Sequence, residues 1–261
     1  MAFEPAAAPG FALGPLAMLY LILAGRWDLV SYALRFVFLA LLLIFTCERA
    51  GWWPAAAVLI CFAVASVLLR RPGVRGIIDL RFPLRGGFYY VAQGGSALLL
   101  NRHHASRSQR FALDIVALNF AGARANGIYP ERLSAYRIFA RPVHSPCPGT
   151  VTGVVDGLAD VPAGHMDRQN PAGNHIVIRN ADSEIYIGLA HLMKDSILVR
   201  PGDRVQAGQL LARVGNSGHS SEPHLHVHVK RGGDPHSMLD GDAVPARFGG
   251  RWLIRNSLVR A

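Results

Sequence analysis

From Gly76 onward, glycine or proline interrupts nearly every gap between short runs of alternating apolar and polar residues. That punctuation leaves little room for helices and constrains the chain more than any other feature it has. Strands are expected at Ile77 to Phe82, Phe88 to Gln93, Ala97 to Leu100, Phe111 to Ala117 and Gly149 to Val155. They continue at Ile176 to Arg179, Ile185 to Leu189 and Leu210 to Val214, and end with a histidine-rich run near residue 226. Short strands at close spacing with turn residues between them are the pattern of an all-β sandwich or barrel. Gly122 to Phe139 lacks alternation and reads as a loop with one short helix.

The chain ahead of this point is of another kind. Hydrophobic residues make up 51% of the 261 residues, and they concentrate before residue 70. Three apolar runs, Phe11 to Ala24, Leu29 to Thr46 (broken by Arg35) and Trp52 to Leu69, are nearly free of charge. The last is long enough to span a bilayer, and Trp52-Trp53 suits an interfacial anchor. The first, at roughly fourteen residues, is short for a span on its own. Met1 to Glu4 contain no Lys or Arg, which argues against a cleaved signal peptide. The expected organisation is a membrane region of two or three transmembrane helices over 1–75, followed by a β domain over 76–261. Arg70, Arg71 and Arg75 follow the third run and, by the positive-inside rule, favour a cytoplasmic location for that end.

The formal net charge of +10 comes chiefly from arginine and suits contact with anionic lipid or cell-wall polymer. No recognisable nucleic-acid module accompanies it, so nucleic acid is not expected as a partner. The three cysteines, Cys47, Cys61 and Cys147, form no CxxC pair and give no thiolate metal site.

One stretch carries the chemistry. In Pro223-His224-Leu225-His226-Val227-His228-Val229, histidine alternates with apolar residues. As a strand it would set His224, His226 and His228 on one face and Leu225, Val227 and Val229 in a core. Imidazole is the commonest metal ligand and a ready general base near neutral pH. Histidines 144, 165, 219 and 236 fall in loops, and His175 sits in a strand that could border a groove.

The segment Val199 to Leu211, with Gly202-Asp203-Arg204-Val205-Gln206-Ala207-Gly208-Gln209 inside it, is followed by Gly215-Asn216-Ser217-Gly218 and His224-Leu225-His226. Together with Gly173 to Ile178 and Tyr186 to Leu192, it resembles the lysostaphin-like (LytM-type) zinc endopeptidases over roughly Gly86 to Val229. The resemblance implies a β-sandwich of the barrel-sandwich hybrid type that hydrolyses peptidoglycan. It also implies His226 and Asp114 as zinc ligands, and His191 and His224 as the non-ligand histidines that handle protons. Asn174 would face the groove. The family's first histidine ligand lies four residues before the aspartate, where this chain has Arg110, and a guanidinium cannot ligate a cation. The nearest candidates are His103 and His104; Asn101-Arg102-His103 ahead of Gln109-Arg110-Phe111-Ala112-Leu113-Asp114 resembles an Asn-x-His found before Gln-Arg-x-Ala-x-Asp in some chains of that family, which implies His103 as the replacement.

The expected protein is therefore a membrane-anchored zinc metalloendopeptidase acting on peptidoglycan peptides. Zinc is its cofactor and membrane lipid its other contact. It would sit in the bacterial cytoplasmic membrane with its catalytic domain toward the periplasm or cell wall, against the weak charge bias. Two other readings compete. One is a non-catalytic domain of the same type that binds cell wall or a partner and regulates other hydrolases. The other is a lipoyl- or biotinyl-type carrier, which needs an exposed lysine at a hairpin tip; only Lys194 and Lys230 are present.

Overall fold

The structure, a computed structural model, describes residues 76–98 and 100–261. The expected membrane helices within 1–75 lie outside the described residues. Among those described, no helix is long and apolar enough to cross a membrane.

Period-two alternation builds one large antiparallel sheet. Its strands are β2 (Phe88–Gln93), β3 (Leu113–Leu118), β5 (Gly149–Val155), β6 (Asn174–Asn180), β7 (Ile185–Leu192), β8 (Arg204–Val205), β10 (Leu225–Arg231) and β13 (Leu258–Arg260). They run in the order β13-β2-β3-β10-β7-β6-β5-β8, and β11 (Asp242–Ala243) pairs with the far end of β10. Two ribbons complete the fold: β1 (Ile78–Leu80) with β12 (Ala246–Phe248), and β4 (Pro142–His144) with β9 (Leu210–Arg213).

Alternation divides the large sheet into two faces. Tyr89, Val91, Leu113, Ile115, Ile187, Leu189, Leu225, Val227 and Val229 join Val143, Leu211 and Ala212 of the β4–β9 ribbon in one core. Leu80 and Phe248 of the β1–β12 ribbon enter the same core. The opposite face carries Asp114, His226, His228 and Lys230, flanked by two small apolar clusters. One contains Val177, Tyr186, Ala190 and Met238, and the other Tyr90, Val116 and Leu118. The ribbons thus cover one face and leave the other to the polar side chains.

Three local expectations change. Where a strand was expected at Ala97 to Leu100, Leu98 and Leu100 lie in a turn, because the N–H groups of Leu100 and Asn101 both return to the Ala97 carbonyl. Leu98 is left exposed at 62%. The 122–139 segment holds a single 3-10 turn, Leu133–Ala135, and among the described residues there is no α-helix. The histidine strand begins at Leu225, so His224 stands just outside it.

Leu225 is fully buried at the start of β10, opposite Ile115 of β3. Leu225→Ala should lower the unfolding free energy by about 2–5 kcal/mol, the cost of a large-to-small change in a packed core. Denaturant unfolding of the two proteins measures it; a loss under about 0.5 kcal/mol would mean that the strand is not packed as described.

Candidate metal and proton-transfer site

The pairing of β3 with β10 sets Asp114 directly opposite His226. Asp114 Oδ1 lies 2.9 Å from His226 Nδ1, and Asp114 Oδ2 lies 2.9 Å from His103 Nε2. His224 Nε2 stands 3.6 Å from Asp114 Oδ1. Ligand atoms of His103, Asp114 and His226 all fall within 4.8 Å of one another, as do those of His191, His224 and His226. Two overlapping triads therefore share His226, and only the first contains a carboxylate.

His103 reaches the site through a turn that Asn101 closes. Asn101 is fully buried and caps the 3-10 turn Arg102–Ala105, its Oδ1 accepting from the His103 N–H at 3.1 Å. Its Nδ2 donates to the carbonyls of Gly95, Arg110 and Ala112. One amide thus ties both ends of the 101–112 loop and returns His103 to the end of β3. His104 belongs to neither triad, and its Nδ1 is buried without a partner.

His191 depends on a fault in the sheet. Along β7, Leu189 and Leu192 both enter the core although three positions separate them, and the β6–β7 register shifts there by a residue. His191 sits at this shift with φ of 59°, a conformation that costs a non-glycine residue about 1–3 kcal/mol. The extra residue turns its ring to the site face, 4.7 Å from the His224 ring and 5.9 Å from that of His226. Its Nδ1 donates to the Ser217 carbonyl at 2.9 Å. Gly173 lets that loop close in: it has φ of 59°, and a Cβ there would stand 2.4 Å from Ser217 O. His224 is held in the same manner, Nδ1 donating to the Glu222 carbonyl at 2.9 Å with Ser220 Oγ at 3.1 Å. Each of these two imidazoles therefore carries its proton on Nδ1 and turns Nε2 toward the site.

The electrostatics follow from burial and the single carboxylate. Burial by itself would raise the Asp114 carboxyl, but the neighbouring His103 and His224 and the hydrogen bonds from His103 and His226 outweigh it and hold it well below the ordinary range. Burial would lower His103, yet the Asp114 charge and hydrogen bond reverse the direction. His191 is driven well below the usual imidazole value, first by burial and then by His224 and His226. His226 is lowered by burial, with Asp114 opposing. Neutral imidazoles and an ionised carboxylate are the protonation states that can ligate a metal.

His228 supports this set from behind. It is 2% exposed, and its Nδ1 is 3.1 Å from His226 Nε2. A metal taken by His226 Nδ1 requires the ring proton on Nε2, and His228 Nδ1 stands ready to accept it. Gly188, opposite His228 in the β7–β10 pairing, makes room for that ring, since a Cβ there would come within 3.0 Å of His228 Cε1.

The remaining candidates fall away from the centre. Asn174 is fully buried and does not face the groove; its amide is spent on the backbone of Leu158 and Leu192. His175 borders a separate cavity of about 350 Å³ and hydrogen-bonds the Gly173 carbonyl. Lys230 is 1% exposed and donates to Asp240 and Asp234, so it cannot present a carried group. Cys147 is buried and free, its thiol pushed up to about 11 by burial. Sequence reasoning passed over Asn101 as a clamp and the carbonyls of Ser217 and Glu222 as tautomer locks. No residue type signals a carbonyl, and only the Asn-x-His spacing hinted at the clamp.

The donor set of two imidazoles and one carboxylate fits zinc, which takes N and O ligands and leaves a position open at hydrolytic sites. Zinc titration of the metal-free protein should give one tight site. His103→Ala should weaken it by more than the roughly 10- to 100-fold that an outer-shell change costs, while His104→Ala leaves it unchanged. His228→Phe should fall within that outer-shell range. Tight zinc retained by His103→Ala would transfer the site to the His191-His224-His226 triad.

Residues 136–238 match the profile of Peptidase family M23, a span that includes His191, His224 and His226 and stops short of His103 and Asp114. The chain is 36% identical over 153 residues to peptidoglycan DD-endopeptidase ShyA of Vibrio cholerae, covering 56% of this chain and 33% of that one. Similar solved structures include the catalytic domain of the prophage-encoded M23 protein EnpA from Enterococcus faecalis. It is 24% identical with a TM-score of 0.34, over 51% of this chain and 72% of that chain. A zinc-containing peptidase from Vibrio cholerae is 23% identical with a TM-score of 0.30, over 51% of this chain and 50% of that chain.

Proposed function

We propose, for a chain that carries a peptidase family M23 domain and is homologous to a peptidoglycan endopeptidase, that it is a zinc-dependent hydrolase of peptide bonds in peptidoglycan. The observation that carries the reading is the convergence of two kinds of group on one sheet face. His103, Asp114 and His226 form a ligand set, and beside it His191 and His224 each hold a proton on Nδ1 and offer Nε2.

Zinc bound by His103, Asp114 and His226 supplies Lewis acidity, which acidifies water and polarises a peptide carbonyl. The remaining work belongs to the protein. One of the two Nε2 atoms takes the proton of the attacking water and, as imidazolium, hands that proton to the departing amine. The other, protonated from solvent, donates a hydrogen bond to the oxygen on which charge develops and keeps its proton. Locking both Nδ1 atoms on backbone carbonyls keeps the rings from turning, so the proton acceptors stay aimed at the reacting atoms. Asp114, ionised throughout, offsets the positive charge that metal and imidazolium bring to the site.

His191→Ala and His224→Ala should each reduce kcat on purified peptidoglycan by about 10²- to 10⁴-fold while zinc content stays at that of the wild type. Release of soluble fragments and metal analysis of the same preparations check this. Zinc lost along with activity would make these histidines ligands instead.

The proposal extends to the first 75 residues as a membrane anchor in lipid of the bacterial cytoplasmic membrane, with the catalytic domain outside, where the substrate is. The runs Phe11 to Ala24, Leu29 to Thr46 and Trp52 to Leu69 support the anchor. Protease added to intact spheroplasts should remove the β domain from membrane-bound protein; full protection until the cells are lysed would place the domain in the cytoplasm and deny it this substrate.

A further inference from the structure

The cleft over the histidines is unlike at its two ends. One end, about 170 Å³, is lined by Pro171, Ala172, Ala190, Met238 and Leu239 together with the site histidines. The other, about 150 Å³ and bounded by Asp114 and His224, is walled by Gln93 and by three arginines, Arg102, Arg124 and Arg255.

The carboxylates near that second end are already engaged. Glu222 lies 2.9 Å from Arg124, with both side chains largely buried at 15% and 12% exposure. Asp114 is held by His103 and His226. Among the described residues, neither Arg102 nor Arg255 has a carboxylate partner, yet both line the cavity. Their placement is built rather than incidental. The Arg102 N–H donates to Gln93 Oε1 at 3.1 Å, and the Arg255 N–H donates to the Gly94 carbonyl at 3.1 Å. Two residues far apart in sequence are thereby fixed to the same end of β2, one on its last residue, Gln93, and the other on Gly94 just beyond it.

We propose that this cavity is a subsite for a carboxylate of the substrate peptide, one to two residues from the bond being cut, held by Arg102 and Arg255. It rests on the reading of the site as a peptidoglycan peptidase. Guanidinium groups match a carboxylate in charge and in planar geometry, and two of them on one wall give it a pair of charge-assisted hydrogen bonds. The opposite end mixes apolar side chains with Gln109 and histidines and has no guanidinium, so an acidic peptide has one favourable direction across the site. Arg124 stays with Glu222 and shapes the cavity floor without holding substrate.

The test is equilibrium binding of a stem peptide from peptidoglycan to the zinc-loaded full chain in neutral detergent. It is compared with the same peptide amidated at its side-chain carboxyl or at its C-terminal carboxyl. Amidation of one of the two should weaken binding about 10-fold, which also says which carboxylate is read. In Arg255→Gln, and again in Arg102→Gln, the acid and amidated forms should bind with nearly equal, weaker affinity. Equal binding of all three peptides to the wild type, or a preference that survives in both variants, overturns the subsite. Preference for the acid form in a protein that releases nothing from peptidoglycan overturns the hydrolase reading and leaves the subsite standing. Hydrolysis without preference does the reverse.

Discussion

The register between β3 and β10 is the constraint on which everything else depends. Pairing Asp114 with His226, and Ile115 with Leu225, puts carboxylate and imidazole on one face and two fully buried aliphatic side chains on the other. Side chains alternate with a period of two, so a slip of one residue would send His226 and His228 into the apolar core and Leu225 and Val227 to the cleft. The same apolar burial that stabilises the sheet therefore fixes the geometry of the site. Core and chemistry are two faces of one pairing.

A sheet face this polar has to satisfy its buried groups locally. Asp114 accepts from two imidazoles, His228 backs His226, and Lys230 further along β10 donates to Asp240 at 2.6 Å and lies over the Tyr186 ring. The row Asp114, His226, His228, Lys230 is thus a continuous polar seam between two apolar clusters. Burying such groups is tolerable because each side chain has at least one partner, although His228 Nε2 has none. The seam orients the ligand atoms, since each ring in it is turned by the next.

Proton transfer and substrate direction are set by loops that pack on this seam. The Ser217 and Glu222 carbonyls fix the tautomers of His191 and His224, and the turn at Gly218 and the loop at Gly173 meet at backbone contact to hold them there. On the β2 side, Gln93 and Gly94 anchor the two arginine-bearing loops. The reacting centre thus lies between a wall without arginine and one with three. That asymmetry distinguishes the two ends of a cleft whose sheet floor is otherwise uniform.

Alternation alone was enough to locate most strands, from Phe88–Gln93 and Gly149–Val155 to the histidine run, because a half-buried antiparallel strand writes its two faces directly into the sequence. It misled ahead of Asn101, where Leu98 and Leu100 lie in a turn, and it was silent on the short strand Leu258–Arg260 that pairs with β2. The histidine row and Asp114 were legible as residue types in a pattern, and His103 through the spacing of a familiar motif. What the sequence by itself determined is therefore the all-β character of residues 76 onward, the apolar character of the segment before them, and the set of groups capable of chemistry. Only the tertiary structure decided how those groups meet. By strict alternation His191 would fall on the core face with Leu189, and the bulge reverses it. No alternation pattern tells Asn101 to bind three nearby carbonyls at once, or Arg255 to line the same cavity as Arg102. Those outcomes depend on where strands and loops meet, the β6–β7 register in one case and the shared anchorage of residues 102 and 255 at the end of β2 in another, and a pattern of alternation does not contain them.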